Sequence, residues 1–112
     1  MSAPVVVRST AFSSLTAIIS DVRIRAHVFF EGIVQGVLFR ANAQKCAESL
    51  GLVGWARNTS DGRVEVVFEG EEGHVLSAID WCEHKQPHAR VTSKEIETSE
   101  PTGEFSEFAI VW

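Results

Sequence analysis

Gly32-Ile33-Val34-Gln35-Gly36-Val37-Leu38-Phe39-Arg40 is the stretch on which the fold turns. Before it, Ile24, Ala26, Val28 and Phe30 alternate with Arg23, Arg25, His27 and Phe29. That period of two predicts a strand covered on one side. After it, Phe39, Ala43, Cys46, Ala47 and Leu50 recur at three and four residues. This is the apolar face of a helix, with Gly51 placed to end it. The stretch itself is therefore a strand-to-helix turn. Its glycines permit tight turning, so several N–H groups can face one concave space, and the helix N-terminus beside that space favours an anion. Arg40 adds a planar, permanently charged fork suited to phosphate. On these residues alone two readings stand open: an anion cradle, or an ordinary connection whose glycines serve only the turn.

Downstream, Leu52 to Asn58 reads as a second strand with Trp55 as its large aromatic. Thr59-Ser60-Asp61-Gly62 is a hairpin signal, because Asp-Gly between two strand patterns marks a turn. In the third strand Val64, Val66 and Phe68 alternate against Arg63, Glu65, Val67 and Glu69, and Gly70 ends it. Glu71 and Glu72 suit a helix N-terminus. Val75, Ala78, Ile79 and Cys82 give the apolar face of that second helix, Trp81 flanks it, and Pro87 stops it. Ala89 to Thr98 has no strongly apolar face and reads as an edge strand. After the loop Glu100-Pro101-Thr102-Gly103, the residues Phe105, Phe108, Ile110 and Trp112 suggest a short last strand. The predicted fold is α+β, a ferredoxin-like βαββαβ sandwich. It has an antiparallel sheet, two helices on one face and a short C-terminal strand.

A chain of 112 residues, 45% apolar and 22% charged, is expected to form one globular domain, spanning residues 22–112. Residues 1–21 are expected to be a poorly ordered extension. Arg8 is thin support for a transit peptide there, and Ser13, Ser14 and Thr16 interrupt the apolar run of a secretory signal. Ten basic and fifteen acidic side chains leave a formal charge of −5. That argues against a general nucleic-acid binder but admits a small anionic substrate held locally. No apolar run approaches the roughly 20 residues that span a bilayer, so no membrane partner is expected.

Cys46 and Cys82 lack C-x-x-C spacing and read as small core hydrophobes in a reducing, cytoplasmic setting, although sequence leaves a bridge between them open. His84 and His88 have metal-like spacing, but Pro87 and the want of further ligands favour solvated histidines and no metal site. The sequon Asn58-Thr59-Ser60 reads as a chance match. The fold also serves RNA-recognition modules, but Arg63 to Glu69 carries two acids and a single aromatic. A metal carrier would want cysteines in the loop from Gly32 to Arg40, which has none.

Two separated motifs, in order, then resemble the acylphosphatase family. One is Val34-Gln35-Gly36-Val37 followed by Phe39-Arg40. The other is Gly54-Trp55-Ala56-Arg57-Asn58-Thr59-Ser60-Asp61-Gly62-Arg63-Val64-Glu65-Val66. The resemblance runs from about Arg23 to Trp112. It implies the same βαββαβ fold, hydrolysis of carboxyl–phosphate anhydrides (acetyl, carbamoyl or benzoyl phosphate), and no metal or organic cofactor. It also implies that the backbone amides of Gln35, Gly36, Val37, Leu38, Phe39 and Arg40 hold phosphate. Arg40 falls on the family's essential arginine, and Asn58 on its water-positioning asparagine. Leu38 departs from the many members that carry glycine or another residue there, and an effect on loop flexibility is expected. The expected partner is a small acyl phosphate, with inorganic phosphate as product, acted on by a monomer. The alternative is a module that binds acyl phosphate without turning it over.

Overall fold

The computed structural model describes residues 22–112, so the expectation for residues 1–21 lies outside it. The elements are β1 (Arg23–Ile33), α1 (Phe39–Ser49), β2 (Val53–Asn58), β3 (Val64–Glu71), α2 (Glu72–His84), β4 (Arg90–Ser99) and β5 (Phe108–Val111). The strands form one sheet in the order β4-β1-β3-β2-β5. The period-two residues Ala26, Val28 and Phe30 of β1 bury beside Ala56, Val64, Val66, Phe68 and Phe108 of the other strands. They meet Phe39, Ala43 and Ala47 of α1, and Val75, Ala78, Ile79 and Cys82 of α2. The core is thus one layer between the sheet and the apolar stripes of both helices. Among the described residues, no helix is long and apolar enough to cross a membrane.

Helix α1 ends as its sequence directs. After α1 the Gly51 and Leu52 N–H groups return to the Glu48 and Ala47 carbonyls at 3.1 and 2.8 Å, closing a Schellman pair. Glu71 caps α2, its carboxylate accepting from the His74 N–H at 3.0 Å. Helix α2 stops at His84, short of the predicted Pro87 limit. The residue before a proline is disfavoured in α conformation. That residue, Gln86, is instead drawn inward, where its Nε2 donates to the Phe39 carbonyl at 3.0 Å.

Four strands are antiparallel as expected, but β5 lies parallel to β2, so the five-stranded sheet is mixed. The reason is geometric. Strand β4 ends on one edge of the sheet and β5 begins on the other, at the same end of the molecule. The short connection can only cross along that end, so β5 must set out in the direction of β2. The crossing is anchored midway. Glu69 of β3 accepts from the Thr102 N–H (3.0 Å), the Thr102 hydroxyl (2.9 Å) and the Gly103 N–H (3.2 Å). It also takes a 3.0 Å bond from Arg25.

On the same face Glu65 accepts from His27 Nε2 and Arg57 Nε, each at 2.6 Å. The alternate residues Glu65, Val67 and Glu69 are consequently as buried as the core set. Burial pushes both carboxyls up, but their charged and backbone donors outweigh it and hold each below the ordinary carboxylate value. Gly54 lets β2 lie this close to β3. It sits at φ +139°, and a Cβ there would stand 1.9 Å from the Val67 carbonyl oxygen.

Candidate active site

The sheet register brings three chain segments to one end of the molecule. Strand β1 ends at Ile33 and feeds the loop 34–38; β2 ends at Asn58, paired with Val64; and β5 ends at Val111, paired with Arg57. Between them lies a cavity of about 250 Å³ whose lining includes Gly36, Leu38, Phe39, Arg40, Asn58 and Trp112. Among the described residues, no Asp or Glu side chain lines it. Five of the seven sequence-predicted site residues therefore meet there. A larger groove of about 630 Å³ runs between the two helices past Lys45, Trp81 and Lys85, and contains none of them.

The backbone of the loop is unusual in the way an anion cradle requires. Gly36 sits at φ +79° in open space, where only the missing Cβ makes the turn easy. Leu38 takes the left-handed conformation too, at φ 62°, ψ 27°, and is the N-cap of α1 without any side-chain cap bond. No acidic residue stands in the first turn. The first N–H groups of α1 thus keep their positive end free for a ligand.

The other predicted residues divide by role. Phe39 is buried against Phe30, ring centroids 5.2 Å apart, so only its backbone can serve the cavity. Val37 packs on the core rather than lining the cavity. Gln35 also stays out of the lining, and its side chain acts as a clamp. Its Nε2 donates to the Thr59 and Arg63 carbonyls, both at 2.9 Å. That ties the loop to the turn that follows Asn58. The turn is closed by the Thr59 N–H on the Arg63 carbonyl at 2.8 Å, and by Asp61, which accepts from the Thr59 hydroxyl and from Arg63 Nε. The Thr59 hydroxyl, ahead of Arg63, holds the Asp61 carboxyl below its ordinary value. Among the described residues, no protein group hydrogen-bonds the Asn58 carboxamide.

Arg40 Nη1 donates to the Val111 carbonyl at 3.4 Å, and its guanidinium carbon lies 4.1 Å from the centroid of the Trp112 ring. Stacking occupies the face of the guanidinium and leaves in-plane N–H donors for a ligand. Sequence reading placed Trp112 in the last strand and not in the site. The alternation Phe108, Ile110, Trp112 puts it on the same sheet face as Asn58, and that signal was available. The Gln35 clamp and the Gln86 contact to Phe39 carried no local signal.

The two thiols are free, and neither lines the cavity. Burial pushes Cys82 up to about 12 and raises Cys46 as well, which disfavours the thiolate form in both. His84 ends α2 beside Asp80 and Glu83, and among the described residues no metal-holding cluster forms around it.

Residues 26–110 match the family model Acylphosphatase. An acylphosphatase of Roseiflexus sp. is 50% identical over 88 residues, which are 79% of this chain and 95% of that one. Among solved structures, the Bacillus subtilis acylphosphatase superposes with a TM-score of 0.76 at 32% identity, covering 80% of this chain and 99% of that one. The Coxiella burnetii acylphosphatase does so with a TM-score of 0.74 at 35% identity, covering 80% and 93%. With the family model spanning nearly the whole described domain and the relatives matched almost end to end, this chain belongs to the acylphosphatase family.

Proposed function

We propose that this acylphosphatase hydrolyses small carboxyl–phosphate anhydrides, such as acetyl, carbamoyl or benzoyl phosphate, to carboxylate and inorganic phosphate. One observation carries the reading: the uncapped first turn of α1, Arg40 and Asn58 open into a single cavity. The amides from Gln35 to Arg40 and the Arg40 guanidinium hold the non-bridging phosphate oxygens. Asn58, whose carboxamide has no hydrogen-bond partner among the described residues, orients a water through its oxygen and steadies the substrate through its nitrogen.

The water oxygen bonds to phosphorus as the bond from phosphorus to the acyl oxygen breaks. The carboxylate departs with the electron pair. Asparagine is no base, so the proton shed by the water passes to a non-bridging phosphate oxygen. Phosphoryl transfer of this kind depends on positioning and charge stabilisation, and a carboxylate leaves without a strong general acid. The residues present can thus complete the reaction with no metal or organic cofactor. The same reading takes the enzyme as monomeric and cytoplasmic; the free thiols of Cys46 and Cys82 suit a reducing compartment.

The test is hydrolysis of benzoyl phosphate in EDTA. Turnover should persist in the wild type and fall at least about a hundredfold in Asn58→Ala, the usual cost of one preorganised donor. Loss of turnover in EDTA would overturn the cofactor-free chemistry. Phosphate binding with no turnover would leave a sensing module in place of an enzyme.

A further inference from the structure

Six large apolar side chains stand well out into water among the described residues: Ile33, Leu38, Leu76, Ile96, Val111 and Trp112. The two most exposed, Leu38 at 74% and Trp112 at 92%, both line the cavity that holds Arg40 and Asn58. Neither gains core packing to account for its place. Leu38 is also held at φ 62°, where a γ-branched side chain carries a strain that glycine would not. Trp112 lies over the Arg40 guanidinium, and so beside the point where a phosphate would be anchored.

We infer that Leu38 and Trp112 form an acyl subsite that selects substrates whose acyl group is apolar and above all aromatic. This rests on the phosphate site proposed above and names the other half of the substrate. The phosphate end of every acyl phosphate is the same, so discrimination must come from walls beyond the cradle. Among the described residues Arg40 is the only charged side chain in the lining, and apart from it and Asn58 the lining side chains are apolar. A flat acyl group can stack on the indole ring and bury Leu38. A methyl or amino group is too small to touch both. Covering two exposed apolar side chains on binding is favourable in proportion to the area removed from water.

The test separates the subsite from catalysis by using phosphonates, which bind but do not turn over. Affinities of phenylphosphonate and methylphosphonate are measured for the wild type, Trp112→Ala and Trp112→Phe. Hydrolysis of benzoyl and acetyl phosphate is measured alongside. The wild type should bind phenylphosphonate about tenfold more tightly than methylphosphonate, the scale of one aromatic contact. Trp112→Ala should lose most of that preference and Trp112→Phe should restore it, with the benzoyl-to-acetyl ratio of kcat/KM following. If Trp112 only steadied Arg40, both phosphonates would weaken equally in Trp112→Ala, and an unchanged ratio overturns the subsite. A wild type that hydrolyses neither acyl phosphate overturns the enzyme reading, while the phosphonate ratio still decides the subsite.

Discussion

Glu69 and Arg40 are both charged groups held by the sheet, and the protein treats them in opposite ways. Glu69 is 3% exposed and accepts from Arg25, from the Thr102 N–H and hydroxyl and from the Gly103 N–H. Every bond it makes is internal. Among the described residues Arg40 has one long bond to the Val111 carbonyl and a stacking contact, beside helix N–H groups that no side chain caps. On the open sheet face, polar groups satisfy one another and hold the strap between β4 and β5. At the proposed cradle the donors have few partners among the described residues. A buried charge must be paired to be tolerated, so the paired cluster speaks of stability. Donors converging without acceptors in a cleft speak of a ligand.

The contrast predicts that activity and stability can be lost separately. Arg40→Lys, like Asn58→Ala, should cost at least about a hundredfold in turnover, because a point charge cannot replace a fork and a preorganised donor is worth about 3 kcal/mol. Thermal melting should barely move, since neither side chain carries the core. A large drop in Tm in either variant would break the distinction. Glu69→Ala should do the reverse. Removing the acceptor of a buried pair costs about 3 kcal/mol, at the low end of its range because Arg25 is 22% exposed and can still reach water.

Acid sharpens the same point. Glu65 and Glu69 are held below the ordinary carboxylate value, so the unfolded chain takes up protons at higher pH than the native one. Their contribution is complete above the unfolded value of about 4.3 and is lost as pH falls through the folded values. Urea melts from neutral pH into acid should show that loss in the wild type and a shallower one in Glu69→Ala. Identical slopes would remove Glu69 from the account.

Gln35 stands between the two regimes, since it lies in the cradle loop yet spends its side chain on internal bonds. Gln35→Leu removes two hydrogen bonds that join the loop to the Asn58 turn. At about 1 kcal/mol each, it should lower stability by about 2 kcal/mol. It should also lower kcat roughly tenfold with little change in KM, because the water residue loses its register while the phosphate amides keep theirs. A rise in KM alone would place Gln35 with the phosphate ligands.

What the sequence made legible follows the reach of the signal. The period-two run from Ile24 to Phe30 and the three-four run from Phe39 to Leu50 are local, and both elements formed where they were read. The arginine and asparagine were legible through motifs, and the fold brought them to one cavity. The parallel seating of β5 was not legible, because it depends on where the strap crosses. Nor was the burial of Glu65, Val67 and Glu69. Their alternation looks like a water-facing row until His27, Arg57 and Thr102 are brought over it. The Gln35 clamp reaches 24 and 28 residues along the chain, beyond any periodicity.

The smallest expected effect concerns Leu38, where the cradle bears strain of its own. A non-glycine residue in the left-handed region costs about 1–2 kcal/mol. Glycine would relieve that but adds about 0.4–1 kcal/mol of unfolded-state entropy. The balance favours Leu38→Gly by about 0.5–1 kcal/mol, a rise in Tm of a few degrees for a domain of this size. Nothing in the core offsets the strain, because the side chain is 74% exposed. A higher Tm together with weaker preference for aromatic acyl groups would mean that the strain is kept for the substrate. A Tm that falls would mean that the left-handed leucine is a comfortable helix start, and would bring the cradle closer to the paired face than the contrast allows.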